Sequence, residues 1–181
     1  MKKLLFPTFL LFLVFSGAGG KYKKVELIKG IWAQMPVEFY RMEDRDILER
    51  FMFYKMPLAM YSSKDRLAEF GVAISDNFWE GGDLELLGDF QLANLHYLFD
   101  NIQIEKKGIR EVHNSRFYFF EFMSSTVNSN VYEKKYTLIQ YLIIQNRILV
   151  FNFSCPQFER EKYQNMAWDI LNSINVKKNP F

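Results

Sequence analysis

The chain has 181 residues, 49% hydrophobic and 18% aromatic, with 23 Lys and Arg against 21 Asp and Glu. So little net charge gives no long-range field to gather phosphate backbones or an anionic membrane, which argues against a nucleic-acid partner. A single cysteine, Cys155, excludes an intrachain disulfide and leaves stability to packing.

The stretch MKKLLFPTFLLFLVFSGAGG opens the chain with two lysines, an apolar run from Leu4 to Phe15 and then small residues, the layout of a secretory signal. A membrane span needs about 20 apolar residues, and this run is shorter and carries Pro7. The expectation is a signal peptide over 1–18, cleaved after Ala18, then a single domain over 19–181 exported to the periplasm or the exterior. An uncleaved anchor is the alternative.

Strands are expected at Val25 to Ile28 and, after Lys29-Gly30, at Ile31 to Met35, closed by Pro36, which lacks the donor a strand interior needs. EDRDILERFMFY, Glu43 to Tyr54, starts acidic as a helix N-terminus does, and Ile47, Leu48 and Phe51 mark one face. A strand at Leu58 to Tyr61, a polar turn from Ser62 to Asp65 and the alternation of Phe70, Val72 and Ile74 follow. Gly81-Gly82 makes a loop, and from Asp83 to about Asn101 the residues Leu86, Phe90, Ala93 and Tyr97 keep helical spacing.

Three more strands are expected at Ile109 to Val112, Arg116 to Ser125 and Lys135 to Gln145. In the second, Phe117, Phe119 and Met123 share one face and Tyr118, Phe120 and Phe122 the other. In the third, Tyr136, Leu138, Leu142 and Ile144 oppose Ile139, Tyr141 and Ile143. Apolar side chains on both faces require both faces to be covered. Gln145-Asn146 is a tight turn, so Arg147 to Phe153 returns antiparallel. From there Tyr163, Met166, Ala167, Ile170, Leu171 and Ile174 mark a helix that starts after Ser154. The fold class is α+β: an antiparallel sheet sandwiched between helices, three layers in α/β/α order.

Ser154-Cys155-Pro156-Gln157 stands where strand gives way to helix. Ser154 with Gln157 fits a capping box, while Pro156 at the first helical position makes Cys155 the cap; either places the sulfur near a helix N-terminus, which can activate a thiol. A nucleophile also needs a base. Nothing in the sequence brings His96, within a helix, or His113, in a hairpin turn, to the sulfur. Cys155 is expected to be a buried packing residue, an intermolecular disulfide being the alternative, and no catalytic residue is assigned. Asp76, Glu80, Asp83, Glu85 and Asp89 surround the glycine loop without EF-hand spacing. No zinc, phosphate-loop or hydrolase motif occurs, so neither metal nor cofactor is expected. The sequon Asn152-Phe153-Ser154 lies in an expected interior strand. Phe78 and Trp79, beside the glycine loop, are the candidate binding residues, because exposed aromatic side chains are favoured interface anchors.

Over most of the chain after the leader, this order of elements resembles the PsbP-like superfamily, in its exported bacterial branch. The resemblance rests on the strand and Pro-turn from Ile31 to Pro36, the segment FYRMEDRDILERFMFYKMPLAMYSS, the strand EFGVAIS, the helix from Asp83 and the ending ILVFNFSCP...AWDILNSI. It implies a sheet between helices, and binding without catalysis. A nuclear transport factor 2-like cone is the runner-up, and its long N-terminal helix is not seen. The resulting expectation is a non-enzymatic envelope protein that acts by contact with an unknown protein partner. The alternative is a carrier of a small hydrophobic ligand in a pocket between helix and sheet.

Overall fold

Long runs of aromatic and β-branched residues, almost free of glycine and proline, build the middle of the molecule as extended chain. The computed structural model describes residues 21–51, 55–128 and 131–177, so the leader expected over 1–18 lies outside the described residues. In chain order the elements are β1 (Tyr22–Ile28), β2 (Ile31–Pro36), β3 (Phe39–Arg41), α1 (Asp44–Arg50), β4 (Ala59–Ser63), β5 (Glu69–Phe78), α2 (Leu84–Leu98), β6 (Asn101–Val112), β7 (Ser115–Asn128), β8 (Val131–Ile144), β9 (Arg147–Pro156), α3 (Arg160–Asn172) and β10 (Asn175–Val176). Seven strands form one antiparallel sheet in the order β3-β4-β5-β9-β8-β7-β6, and β1-β2-β10 form a smaller one.

Two tight turns set the register of the central strands. His113 and Asn114, at φ 47 and 64, join β6 to β7, and Gln145 and Asn146, at φ 50 and 58, join β8 to β9. Positive φ at both turn positions is the twist-matched geometry of a two-residue hairpin. With register fixed, alternation divides the side chains between the faces as expected. Phe117, Phe119 and Met123 of β7 pack with Tyr163, Ala167, Ile170 and Leu171 of α3. Tyr118, Phe120 and Phe122 pack with Leu84, Leu87 and Leu95 of α2. In β8, Tyr136, Leu138 and Leu142 lie on the α3 side, Ile139 and Tyr141 on the α2 side. The small sheet adds Leu27, Ile31, Ala33 and Met35 to the α3 side. α1 sets Ile47 against Met42 and Met60 in a separate cluster. Ala59 and Tyr61 belong to the α3 side, so Met60 between them faces away from it.

A buried carboxylate ties α3 to the sheet. Glu121 of β7 is fully buried; its Oε1 accepts from Tyr136 Oη at 2.8 Å, Gln164 Nε2 at 2.6 Å and Trp168 Nε1 at 3.2 Å. Lys106 Nζ stands 3.0 Å from its Oε2.

Several boundaries differ from the sequence expectation. β9 continues through Cys155 and Pro156, a 3-10 turn covers Gln157–Glu159, and α3 begins only at Arg160, so neither Ser154 nor Cys155 caps a helix. Cys155 instead faces Tyr136 in the β8–β9 register, and Pro156 is the last residue of its strand, where a missing donor is tolerated. α1 stops at Arg50, with Phe51 already extended, and Leu48 is exposed; the rest of the helix expected to Tyr54 lies outside the described residues. β6 begins at Asn101, eight residues before its expected start at Ile109.

Candidate functional site

Phe78 and Trp79 stand where β5 hands over to α2. Gly81 and Gly82, at φ +90 and +66, occupy the left-handed region that glycine reaches without strain, and they reverse the chain into the helix. Asp83 caps it, its Oδ1 accepting from the amides of Glu85 and Leu86 at 3.0 Å each. This turn fixes Trp79: its amide donates to the Asn146 carbonyl at 2.8 Å, its Nε1 donates to the Asp83 carbonyl at 3.1 Å, and its ring lies 5.8 Å from that of Phe90. Phe78 is 70% exposed beneath the Arg147 guanidinium, 5.5 Å from the ring centre.

α2 is apolar on two sides. Leu84, Leu87, Gly88 and Leu95 are buried against the sheet. The stripe that signals the helix in the sequence is the other side: Leu86 is 59% exposed, Phe90 40% and Tyr97 90%, with Ala93 exposed between them. Through the Trp79–Phe90 contact this stripe joins the two aromatic residues singled out from the sequence. α2 carries no Lys or Arg, and among the described residues Glu80, Glu85 and Asp89 take part in no ion pair. The surface is therefore apolar and aromatic with an acidic margin.

The other candidates disperse. Asp76 pairs with Lys55, Asp83 is spent on the helix cap, and no group of three or more His, Cys, Asp or Glu among the described residues is placed to hold a metal ion. His96 is exposed on α2 and His113 sits in the β6–β7 turn. Cys155 is 2% exposed, and burial pushes its thiol up to about 12, so the expected packing role holds and the expected helix-end position does not. Asn152 lies within β9, its Oδ1 enclosed and without a hydrogen bond. On the sheet face away from α3, an apolar hollow of about 220 Å³ opens beside Pro57 and Met60, floored by Ala73, Ile139 and Val150. Sequence reasoning missed it because its floor comes from three strands far apart in the chain.

No protein-family model and no curated protein matches this chain. Solved structures do. CyanoP, the cyanobacterial PsbP of Synechocystis sp. PCC 6803, superposes with a TM-score of 0.59 at 11% identity, over 89% of this chain and 96% of its own. The Ran-binding protein Mog1p of Saccharomyces cerevisiae gives 0.56 at 12% identity, over 86% and 95%. LpqN, involved in cell envelope biogenesis of Mycobacterium tuberculosis, gives 0.54 at 10% identity, over 88% and 87%. At such identities the likeness carries architecture and not role. This chain has the PsbP-like α+β fold.

Proposed function

We propose that the chain is an exported, non-enzymatic accessory protein of a bacterial envelope that works by binding another protein, through Phe78, Trp79 and the outer stripe of α2. The observation that carries this reading is the unburied row Leu86, Phe90 and Tyr97, which meets the half-buried Trp79 ring at Phe90. A helix at the surface normally turns such a row inward, and contiguous exposed apolar patches mark interaction sites. Trp and Tyr are the residue types that dominate binding energies. Glu80, Glu85 and Asp89 beside the stripe favour a partner bearing Lys or Arg and oppose an anionic lipid surface. The expected leader over 1–18 supports export. Ran binding by Mog1p and the envelope role of LpqN are in keeping with a scaffold used for contact.

The test is capture of partners from envelope extract by the wild-type chain and by a Phe78→Ala/Tyr97→Ala variant whose circular dichroism and unfolding midpoint match wild type, both side chains being exposed. Loss of two anchors weakens specific capture by roughly thirtyfold or more. Equal capture by both proteins rejects this surface. The apolar hollow beside Met60 favours a second reading, a carrier of a small hydrophobic ligand. Native mass spectrometry of the protein purified from its host separates the two: a retained apolar ligand with an unaffected partner profile supports the carrier.

A further inference from the structure

The apolar hollow of about 220 Å³ beside Met60 owes its shape to one missing side chain. In the strand register Met60 of β4, Gly71 of β5, Asn152 of β9 and Ile139 of β8 stand side by side in a row, and residues directly opposite in a ladder share a sheet face. Ala73 and Val150 are paired two residues along, on that same face. Ile139 and Val150 belong to the α2 side, which fixes the row away from α3. Gly71 leaves the middle of the row empty: apart from its chain neighbours, a Cβ there would meet nothing within 4 Å. α2 packs on β6 and β7, and α1 on Met42 and Met60, so the hollow opens over β5 and β9 between the two helices.

Glu69, Asn152 and Ser154 are the polar side chains that line it. The Glu69 carboxylate is held by Arg50 Nη2 at 2.5 Å, so among the described residues no unpaired charge faces the hollow. Asn152 is the informative member. Its side chain makes no hydrogen bond among the described residues, and its Oδ1 is enclosed. Buried polar side chains are nearly always hydrogen-bonded, and an idle amide in the wall of an apolar hollow fits a ligand that brings one polar group of its own. A hydroxyl both donates and accepts, and the broad χ2 well of Asn lets the amide turn either end toward it. A charged head would find no countercharge there. An apolar cavity of about 150 Å³ holds benzene, so this one takes a substituted ring and not a lipid chain.

We propose that the hollow binds a small neutral apolar alcohol or phenol, its hydroxyl bonded to the Asn152 amide and its body lying on Gly71, Ala73, Ile139 and Val150. This assignment rests on the carrier reading of the hollow and names its ligand class. It is independent of the aromatic surface on α2.

The test is titration of the whole protein with p-cresol and with p-xylene, which has the same shape with a methyl in place of the hydroxyl, followed by the methyl resonances of Met60 and Ile139. A hollow without a polar anchor would take p-xylene about tenfold more tightly, because the cresol hydroxyl would be buried unpaired. With the anchor, p-cresol binds at least as tightly as p-xylene. Asn152→Leu, which removes an idle polar group and keeps a similar shape, folds as wild type and turns the preference to p-xylene by about tenfold. Gly71→Val, which places a strand-favouring side chain in open space, blocks both ligands without lowering the thermal midpoint. A tenfold preference for p-xylene in the wild type, or an unchanged ratio in Asn152→Leu, overturns the hydroxyl assignment and leaves the carrier reading standing. Binding of neither ligand, or binding that survives in Gly71→Val, overturns both.

Discussion

Alanine in place of Gly88 reverses an ordinary helix rule, and the sign of its effect reports whether α2 is seated on β7. In the interior of an exposed helix, Gly→Ala gains about 1 kcal/mol, because glycine gives up more backbone freedom on folding. Here the new methyl would fall 2.7 Å from Tyr118 Cδ2 and nearer still to Cε2 and Cζ. The ring cannot swing clear: Tyr118 is buried, with its centroid 5.1 Å from that of Phe120. Overpacking of a filled core costs about 1–3 kcal/mol, and an overlap that takes in three ring atoms belongs at the upper end. Subtracting the helix gain leaves a net loss of about 2 kcal/mol. In a domain of this size that lowers the thermal midpoint by roughly 4–8 °C. Urea unfolding followed by circular dichroism measures the loss. In a Tyr118→Ala background, where the ring is gone, the same substitution becomes neutral or stabilising, a coupling that a double-mutant cycle resolves. Stabilisation by about 1 kcal/mol in the wild-type background would mean that α2 does not approach β7 as described.

Two buried groups give further predictions. Cys155, enclosed in β9 with its thiol raised by burial to about 12, resists Ellman's reagent at pH 8 in the native protein and reacts fully in denaturant; rapid native labelling contradicts the strand-paired position. Burial alone would raise the pKa of Glu121, but hydrogen bonds from Tyr136, Gln164, Lys106 and Trp168 outweigh it and hold the carboxyl below its usual value. A depressed folded pKa means that the stabilisation is present above the unfolded value, about 4.3, and is lost as pH falls through the folded one. Glu121→Gln therefore costs about 1–3 kcal/mol at neutral pH and flattens the acid limb of stability against pH; parallel acid limbs in the two proteins would assign that limb to other groups.

The central layer was legible because its residues leave little choice. Phe117 to Met123 and Tyr136 to Ile144 are apolar at odd and even positions alike, so two covering layers follow from period alone, and the structure distributes these side chains between α3 and α2 accordingly. β6 was hard to read for the opposite reason. It is an edge strand, and Glu105, Lys106 and Lys107 at its middle are the charges that keep an edge from pairing further. The three residues of β3 and the two of β10 are too few for any period to register. At Cys155, Pro156 fits a first helical position and a last strand position equally well locally, and only pairing with β8 decides between them. The aromatic surface was half visible. Phe78 and Trp79 draw notice by their place beside the glycines, whereas the Leu86–Tyr97 stripe reads as a core face, and only the docking of Leu84, Leu87 and Leu95 shows it to be the outer one.

The role of that outer face is tested most directly by a photocrosslinking amino acid placed at Tyr97 in the native host, with the same group at exposed Lys23 on β1 as control. A contact role for this face predicts a discrete adduct from position 97 that is absent from position 23 and disappears when Trp79→Ala and Phe90→Ala are added. No adduct from position 97, or the same ladder from both positions, would contradict it.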